Sequence, residues 1–286
     1  MAKILIAGCG DVGGELARRL AEAGHEVTGL KRQPPTIMDK VNYITADICN
    51  TAQLQKLTTD FDFVFFILSP DGRTEQSYRA VYETSLDNLL NHFSVANTCP
   101  CWFFISSTSV YPQSQGEWVD EDSLAEPDNV NSQLIRAAEQ KIIIAHPKNI
   151  VVRFSGIYGQ GREYLLRLAQ QTPAIQKNPP YFTNRIHRQD CVAVLLFLLQ
   201  QQLSGNVLQQ CYLASDDEPV PMWEVMTWLA EKTACALPIE KNGPTIDMNK
   251  RCNNQRLKSL GYQFLCPSYK EGYLPLLAKF KQSSAF

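Results

Sequence analysis

The chain has 286 residues, 44% of them apolar and 20% charged, which is ordinary for a globular protein and excludes the disordered and fibrous classes. At roughly 100–200 residues per domain there is room for one large domain or two small ones. The 27 basic and 29 acidic side chains leave a net charge of −2, so the balance points neither to nucleic acid nor to an anionic membrane as a partner.

Residues 3–7 read as a short apolar strand, followed by Gly8, Gly10, Gly13 and Gly14. A helix then carries Val12, Leu16, Leu20 and Ala23 on one face, with Gly24 where a C-terminal cap belongs. Residues 27–30 predict a second strand, and 43–45 a third that ends at Ala46-Asp47. Residues 63–68 are a continuous apolar run stopped by Ser69-Pro70. The spacing of Tyr78, Val81, Tyr82, Leu86, Leu89 and Phe93 predicts a helix over 78–93. Residues 102–105 predict another buried strand. Leu134, Ile135, Ala138, Ile142 and Ala145 mark a helix broken by Pro147, and residues 150–154 the next strand. Beyond Phe154 the alternation loosens at Pro173, Pro179 and Pro180. Residues 190–201 then read as helix, 207–213 as strand, 222–231 as helix and 255–261 as a short helix.

Apolar runs without alternation mean strands buried on both faces, and helices between them mean a parallel sheet with right-handed crossovers. The expected fold is α/β: a doubly wound, parallel-sheet Rossmann fold with a smaller C-terminal substrate-side domain. Residues 1–154 would form the nucleotide-binding domain, with 185–214 returning to it; 155–184 and 215–286 would form the smaller one. Ligands in such sheets lie beyond the carboxyl ends of the strands. There the sequence places residues 8–14, Lys31-Arg32, Asp47, Ser69-Pro70, residues 106–111 and residues 155–162.

The longest unbroken apolar run is nine residues, 191–199, where a bilayer needs about twenty, and the first residues contain no signal-peptide core. A cytoplasmic location and no membrane partner are expected. Nine scattered cysteines without metal-ligand or redox spacing read as free thiols, mostly buried, with no metal site.

Gly8-Cys9-Gly10-Asp11-Val12-Gly13 is a Gly-x-Gly-x-x-Gly loop between a strand and an amphipathic helix. The first glycine permits the tight turn, the second lets the backbone approach a pyrophosphate, and the third lets helix pack on strand. The helix N-terminus then favours the phosphate charge. Asp11 adds a carboxylate to that first turn, where it favours the helix dipole. At the end of the second strand stand Lys31 and Arg32, where an NAD-binding fold offers an acid to the ribose hydroxyls. Two cations there suit the 2′-phosphate of NADP, so NADP is expected to be favoured over NAD.

Further motifs follow in a fixed order: Phe104-Ile-Ser-Ser-Thr-Ser-Val-Tyr111, Val119-Asp-Glu-Asp-Ser, Val152-Arg-Phe-Ser-Gly-Ile-Tyr-Gly-Gln-Gly161, Ile186-His-Arg-Gln-Asp190 and Leu257-Lys-Ser-Leu-Gly261. The pattern resembles the extended short-chain dehydrogenase/reductases, in particular the NAD-dependent epimerase/dehydratase family of nucleotide-sugar enzymes. The resemblance implies that Gly8, Gly10 and Gly13 hold the pyrophosphate, with Val12 and Ser69 beside the cofactor. It further implies that Asp47 accepts from the adenine amino group and that Ser107 is the catalytic Ser/Thr. Two departures stand out. Ile6-Ala7 replaces the family's Thr-Gly, and Asn131 and Ile135 stand where its Tyr-x-x-x-Lys dyad belongs. An amide is no general base near neutral pH, and an isoleucine cannot bond a ribose. Tyr111, Tyr158 and His187 are the replacement candidates, of which Tyr111 and His187 join Ser107 as catalytic candidates. Arg153, Arg162, Arg185 and Arg188 lie near strand ends, where they can clamp an anionic substrate. Two functions remain open. One is an NAD(P)-dependent oxidoreductase or epimerase/dehydratase-like enzyme with a small-molecule substrate and a substituted base. The other is a non-catalytic dinucleotide-binding sensor or regulatory protein. A homodimer through helices 78–93 and 134–145 is possible on the same resemblance.

Overall fold

Apolar runs such as Ile4-Leu-Ile-Ala7 have no polar face to offer water, so they settle only inside a sheet covered on both sides. The computed structural model, which describes residues 1–33, 39–244 and 247–283, places them there. In chain order the first elements are β1 (Lys3–Ala7), α1 (Asp11–Glu22), β2 (Glu26–Lys31), β3 (Asn42–Thr45), α2 (Thr51–Leu54), β4 (Phe63–Phe66), α3 (Glu75–Arg79), α4 (Leu86–Val95), β5 (Cys101–Ser107), β6 (Glu117–Val119), α5 (Val130–Ala145) and β7 (Ile150–Phe154). Then come β8 (Gly156–Tyr158), α6 (Tyr164–Ala169), β9 (Ala174–Asn178), β10 (Phe182–Thr183), β11 (Arg185–His187), α7 (Arg188–Leu203), β12 (Cys211–Ala214), β13 (Val220–Pro221), α8 (Met222–Thr233), β14 (Ile239–Asn242), β15 (Lys250–Cys252), α9 (Gln255–Ser259) and α10 (Tyr269–Ser283).

The central sheet has seven strands in the order β12-β7-β5-β4-β1-β2-β3. β1 pairs in parallel with β2 on one side and β4 on the other, so Ile4 stands beside both Val27 and Phe63. The chain winds outward from β1 in both directions, and the switch point lies between β1 and β4. Aromatic pairs knit the strands: Phe65 stacks on Phe103 at 4.5 Å and Phe66 on Phe104 at 5.6 Å between centroids.

Among the elements that differ from the sequence expectation, three show the local cause. The helix expected over 78–93 begins earlier, because Thr74 caps it by accepting from the Ser77 N–H at 3.3 Å. It also widens into a π-helical turn over Ala80–Ser85, where the Ser85 hydroxyl donates to the Ala80 carbonyl at 2.7 Å. The helix marked by Leu134 starts at Val130, since Asn129 caps it through the Ser132 N–H at 2.9 Å. The strand expected over 207–213 is confined to Cys211–Ala214. Gly205, at φ +77°, and the exposed Val207 still belong to the turn that follows α7.

The chain divides into two compact units. The first comprises Met1–Val110, Glu126–Arg153 and Leu195–Tyr212; the second comprises Tyr111–Ala125, Phe154–Val194 and the chain from Leu213 onward. The first holds the glycine loop and most of the sheet. The second has its own core, in which Tyr158, Leu166, Val225, Met226, Leu229 and Tyr273 are buried together. Among the described residues, no helix is long and apolar enough to cross a membrane.

Candidate functional site

The loop after β1 is built so that its glycines do different work. Gly8 sits at φ +104°, and a Cβ there would lie 2.6 Å from the Ile67 carbonyl oxygen. A Cβ on Gly13 would lie 2.1 Å from the Gly8 carbonyl oxygen. Both are required by the fold itself. A Cβ on Gly10 would meet nothing within 4 Å. Only Gly10 therefore faces open space, at the mouth of α1, where Asp11 begins the helix and the Gly14 N–H returns to the Gly10 carbonyl at 2.8 Å. Cys9 and Val12 are buried beneath the loop, and burial pushes the Cys9 thiol up to about 12.

Around this mouth the first unit gathers the rim residues. Lys31 ends β2, half-buried, its ammonium 6.0 Å from the Tyr43 ring centroid. Arg32, the next residue, is exposed and pairs with Asp71. Asp47 follows β3 and accepts from the Cys49 N–H at 2.9 Å through Oδ1. Ser69 is exposed beyond β4. The dinucleotide candidates Gly8, Gly10, Asp11, Val12, Gly13, Lys31, Arg32, Asp47 and Ser69 thus share one unit and one edge of one sheet.

Ser107 closes β5, half-buried, its Oγ accepting from the Ser109 N–H at 3.1 Å. Nearby on the chain, Ser106 points into the unit and donates to Glu139 Oε1 at 2.6 Å. On α5, the Asn131 amide donates to the Arg73 carbonyl at 2.9 Å, and Ile135 is buried. Neither presents a base. One turn further, Glu139 is wholly buried and accepts from Arg153 at 2.8 and 2.7 Å and from Arg136 at 2.8 Å. Arg153 is therefore no clamp for a substrate: it is buried and spent on Glu139.

In the second unit, Tyr111 is buried and its hydroxyl donates to the Asp120 carbonyl at 2.6 Å, the posture of a packing residue. The His187 ring packs edge-on against Tyr158 at 5.3 Å. Burial holds its pKa below 6.5, with Asp190 opposing and Arg188 adding to the shift. Tyr158 itself stacks on Tyr273 at 4.6 Å, and burial drives its hydroxyl far up. Arg185 is also buried, lying 5.5 Å from the Tyr269 ring centroid and donating to the Thr183 hydroxyl. Arg162 is exposed and Arg188 half-buried. His187, Asp190 and Cys266 bring potential ligand atoms within 4.8 Å of one another. Both Asp190 oxygens are engaged, however: Oδ1 by Tyr262 at 2.8 Å and the Leu265 N–H at 2.7 Å, Oδ2 by the Cys266 N–H at 3.0 Å. The carboxylate anchors that segment.

Sequence reasoning missed Glu139, Asp71, Asp216 and Lys250. Lys250 is buried with its ammonium on the Tyr111 carbonyl at 3.1 Å, and burial lowers its pKa. Glu139 was findable: an acid on the apolar side of a helix, four residues after Ile135, requires a buried cation. The other three carry no local signal.

Residues 4–207 match the model of the NAD dependent epimerase/dehydratase family. A solved structure from Methylobacillus flagellatus, assigned as an NAD-dependent epimerase/dehydratase, is 35% identical with a TM-score of 0.83, covering 98% of this chain and 99% of its own. Protein YeeZ of Escherichia coli strain K12 is 25% identical over 226 residues, 74% of this chain and 78% of its own. A short-chain dehydrogenase/reductase superfamily protein from Agrobacterium tumefaciens, solved with bound NAD, shares the fold with a TM-score of 0.81 at 18% identity, covering 99% of this chain and 98% of its own.

Proposed function

The chain belongs to the NAD-dependent epimerase/dehydratase family, and from that premise we propose that its glycine-loop edge binds an NAD(P) dinucleotide, with NADP favoured over NAD. The observation that carries the proposal is the open space at Gly10. Gly8 and Gly13 are glycines because protein backbone crowds them, whereas Gly10 has no such neighbour. It caps α1 with ψ at −143°, and at that open helix mouth a ligand can approach its backbone closely. The N–H groups at the mouth of α1 would hold the pyrophosphate, Asp47 the adenine amino group, and Lys31 and Arg32 the 2′-phosphate. When bound, the nicotinamide supplies a hydride acceptor or donor.

The chemistry built on this is epimerase/dehydratase-like and works without the family's usual base. Ser107 orients a substrate hydroxyl or carbonyl, of nucleotide-sugar or similar type, but cannot deprotonate it alone. The Asn131 amide is committed to a backbone carbonyl and Ile135 carries no charge. General base catalysis contributes about 10²–10⁴-fold, so turnover of ordinary nucleotide sugars should be slow rather than zero. A screen at the reduced-nicotinamide absorbance, with product analysis for redox-neutral reactions, tests this. Turnover of tens per second on a common nucleotide sugar would overturn it. The same two substitutions favour a second reading, a non-catalytic dinucleotide sensor. That reading expects saturable cofactor binding and no turnover in the same screen.

A further inference from the structure

Arg32 leaves the end of β2, and Asp71 lies five residues beyond the end of β4; β1 runs between those two strands. The two side chains meet in a forked ion pair, Nη1 to Oδ2 at 2.5 Å and Nη2 to Oδ1 at 2.6 Å. The bridge thus spans the carboxyl end of β1. Beneath it the chain turns at Gly8, whose N–H donates to the Leu30 carbonyl at 3.1 Å and whose Cα sits against Ile67. This is the switch-point edge, where a doubly wound sheet receives its ligand. The side chains are 61% and 67% exposed, so packing does not lock them and the pair can open. The Asp71 carboxyl is held below its usual range by the hydrogen bond from Arg32. Near neutral pH the bridge is therefore a full cation on a full anion.

We propose that Asp71 is a specificity-determining residue of the dinucleotide site: it competes with a ribose 2′-phosphate for the two guanidinium prongs of Arg32, and so restrains the preference for NADP. The inference rests on the dinucleotide reading above. A carboxylate and a phosphate accept the same planar fork, so Arg32 cannot offer both prongs to both at once. The Asp71 charge also repels a phosphate dianion brought beside it. A ribose without that phosphate offers a neutral 2′-hydroxyl, which can donate to Asp71. The two cofactors must then respond to Asp71 differently.

The test is calorimetric titration of NADP and NAD against the wild type, Asp71→Asn, Arg32→Ala and the double variant. Asp71→Asn should bind NADP about two- to five-fold tighter, the range of an exposed charge pair, and bind NAD no more tightly than the wild type. The gain should shrink at high salt. In the Arg32→Ala background the response of the NADP/NAD ratio to Asp71 should shrink, because only the direct effects of the carboxylate on the phosphate and the ribose hydroxyl remain. An unmoved ratio in Asp71→Asn, or a weaker hold on NADP, overturns the proposal while leaving dinucleotide binding intact. A wild type that binds neither cofactor overturns the reading beneath it as well.

Discussion

The glycine loop and helix α5 belong to the same unit, yet the loop keeps three spaced glycines at a helix mouth whereas α5 presents no base where the resemblance implies one. In the loop, two glycines are demanded by neighbouring backbone and the third opens outward. On α5, Asn131 and Ile135 stand where the resemblance implies the Tyr-x-x-x-Lys dyad, while one turn further Glu139 ties Ser106, Arg136 and Arg153 together. The hydrogen bonds that Glu139 accepts from those three residues involve neither Asn131 nor Ile135. Scaffold and chemistry are separable here, and each half of that contrast can be attacked on its own.

The largest effect should come from the scaffold. Glu139→Ala takes from the buried Arg153 the carboxylate that accepts two of its hydrogen bonds, so the folded state should lose about 3–5 kcal/mol in chemical denaturation. A loss below about 1 kcal/mol would mean that the cluster does not hold α5 to the sheet. Next comes the loop. Gly13→Ala should destabilise by about 1–3 kcal/mol, because its Cβ would force the Gly8 carbonyl aside. Gly10→Ala, whose Cβ meets nothing and which gives up only a glycine N-cap, should cost about 1 kcal/mol or less. Equal losses at the two glycines would erase the distinction between them.

A third test uses the second unit, whose buried carboxylate is the opposite of Glu139. Asp216 is 1% exposed and neither oxygen accepts a well-formed hydrogen bond; the buried Arg185 Nη1 is likewise without one. Burial raises the Asp216 pKa well above 3.8, with Arg185 opposing. A raised folded value means stability that is full below the unfolded pKa and is lost as pH rises toward the folded one. Asp216→Asn should therefore flatten the decline in midpoint above pH 3.8. His187 works with the other sign: its folded pKa is lowered by burial, so its contribution is full above pH 6.5 and is lost as pH falls through the folded value. His187→Gln should flatten that acid-side decline. An unchanged pH profile in either variant would show that the group does not titrate on unfolding.

Much of the first unit was legible in the sequence because its signals are local. Apolar runs such as Phe63–Phe66 specify buried strands, and a strand, a glycine loop and an amphipathic helix in succession specify the switch point. Asn131 and Ile135 could be read as a missing dyad because their positions follow from Pro127 and Glu139 along one helix. What escaped were pairings across long stretches of chain. Arg32 finds Asp71 and Lys250 finds Tyr111 only after the strands are in register, and no spacing records that. The π-helical turn at Ala80–Ser85 escaped for a related reason: Cys49, from another loop, approaches the Ala80 carbonyl at 3.4 Å.

A smaller effect than those at Glu139 and Gly13 is expected at Ser107. Its Oγ accepts one backbone N–H, so Ser107→Ala should cost about 0.5–1.5 kcal/mol and leave dinucleotide affinity unchanged, while lowering any residual turnover. Turnover indifferent to Ser107 would make the end of β5 structural only.

The central claim, that the glycine-loop edge holds a dinucleotide, is tested most directly by titrating the wild type and Gly10→Val with NADP and NAD in a calorimeter. The wild type should bind saturably and hold NADP the more tightly. Gly10→Val, folded but with a somewhat lower thermal midpoint for the lost glycine cap, should bind neither, because the new side chain fills the space that Gly10 leaves open. A wild type silent to both cofactors at millimolar concentration, or a Gly10→Val variant that binds them as well as the wild type, would contradict the account.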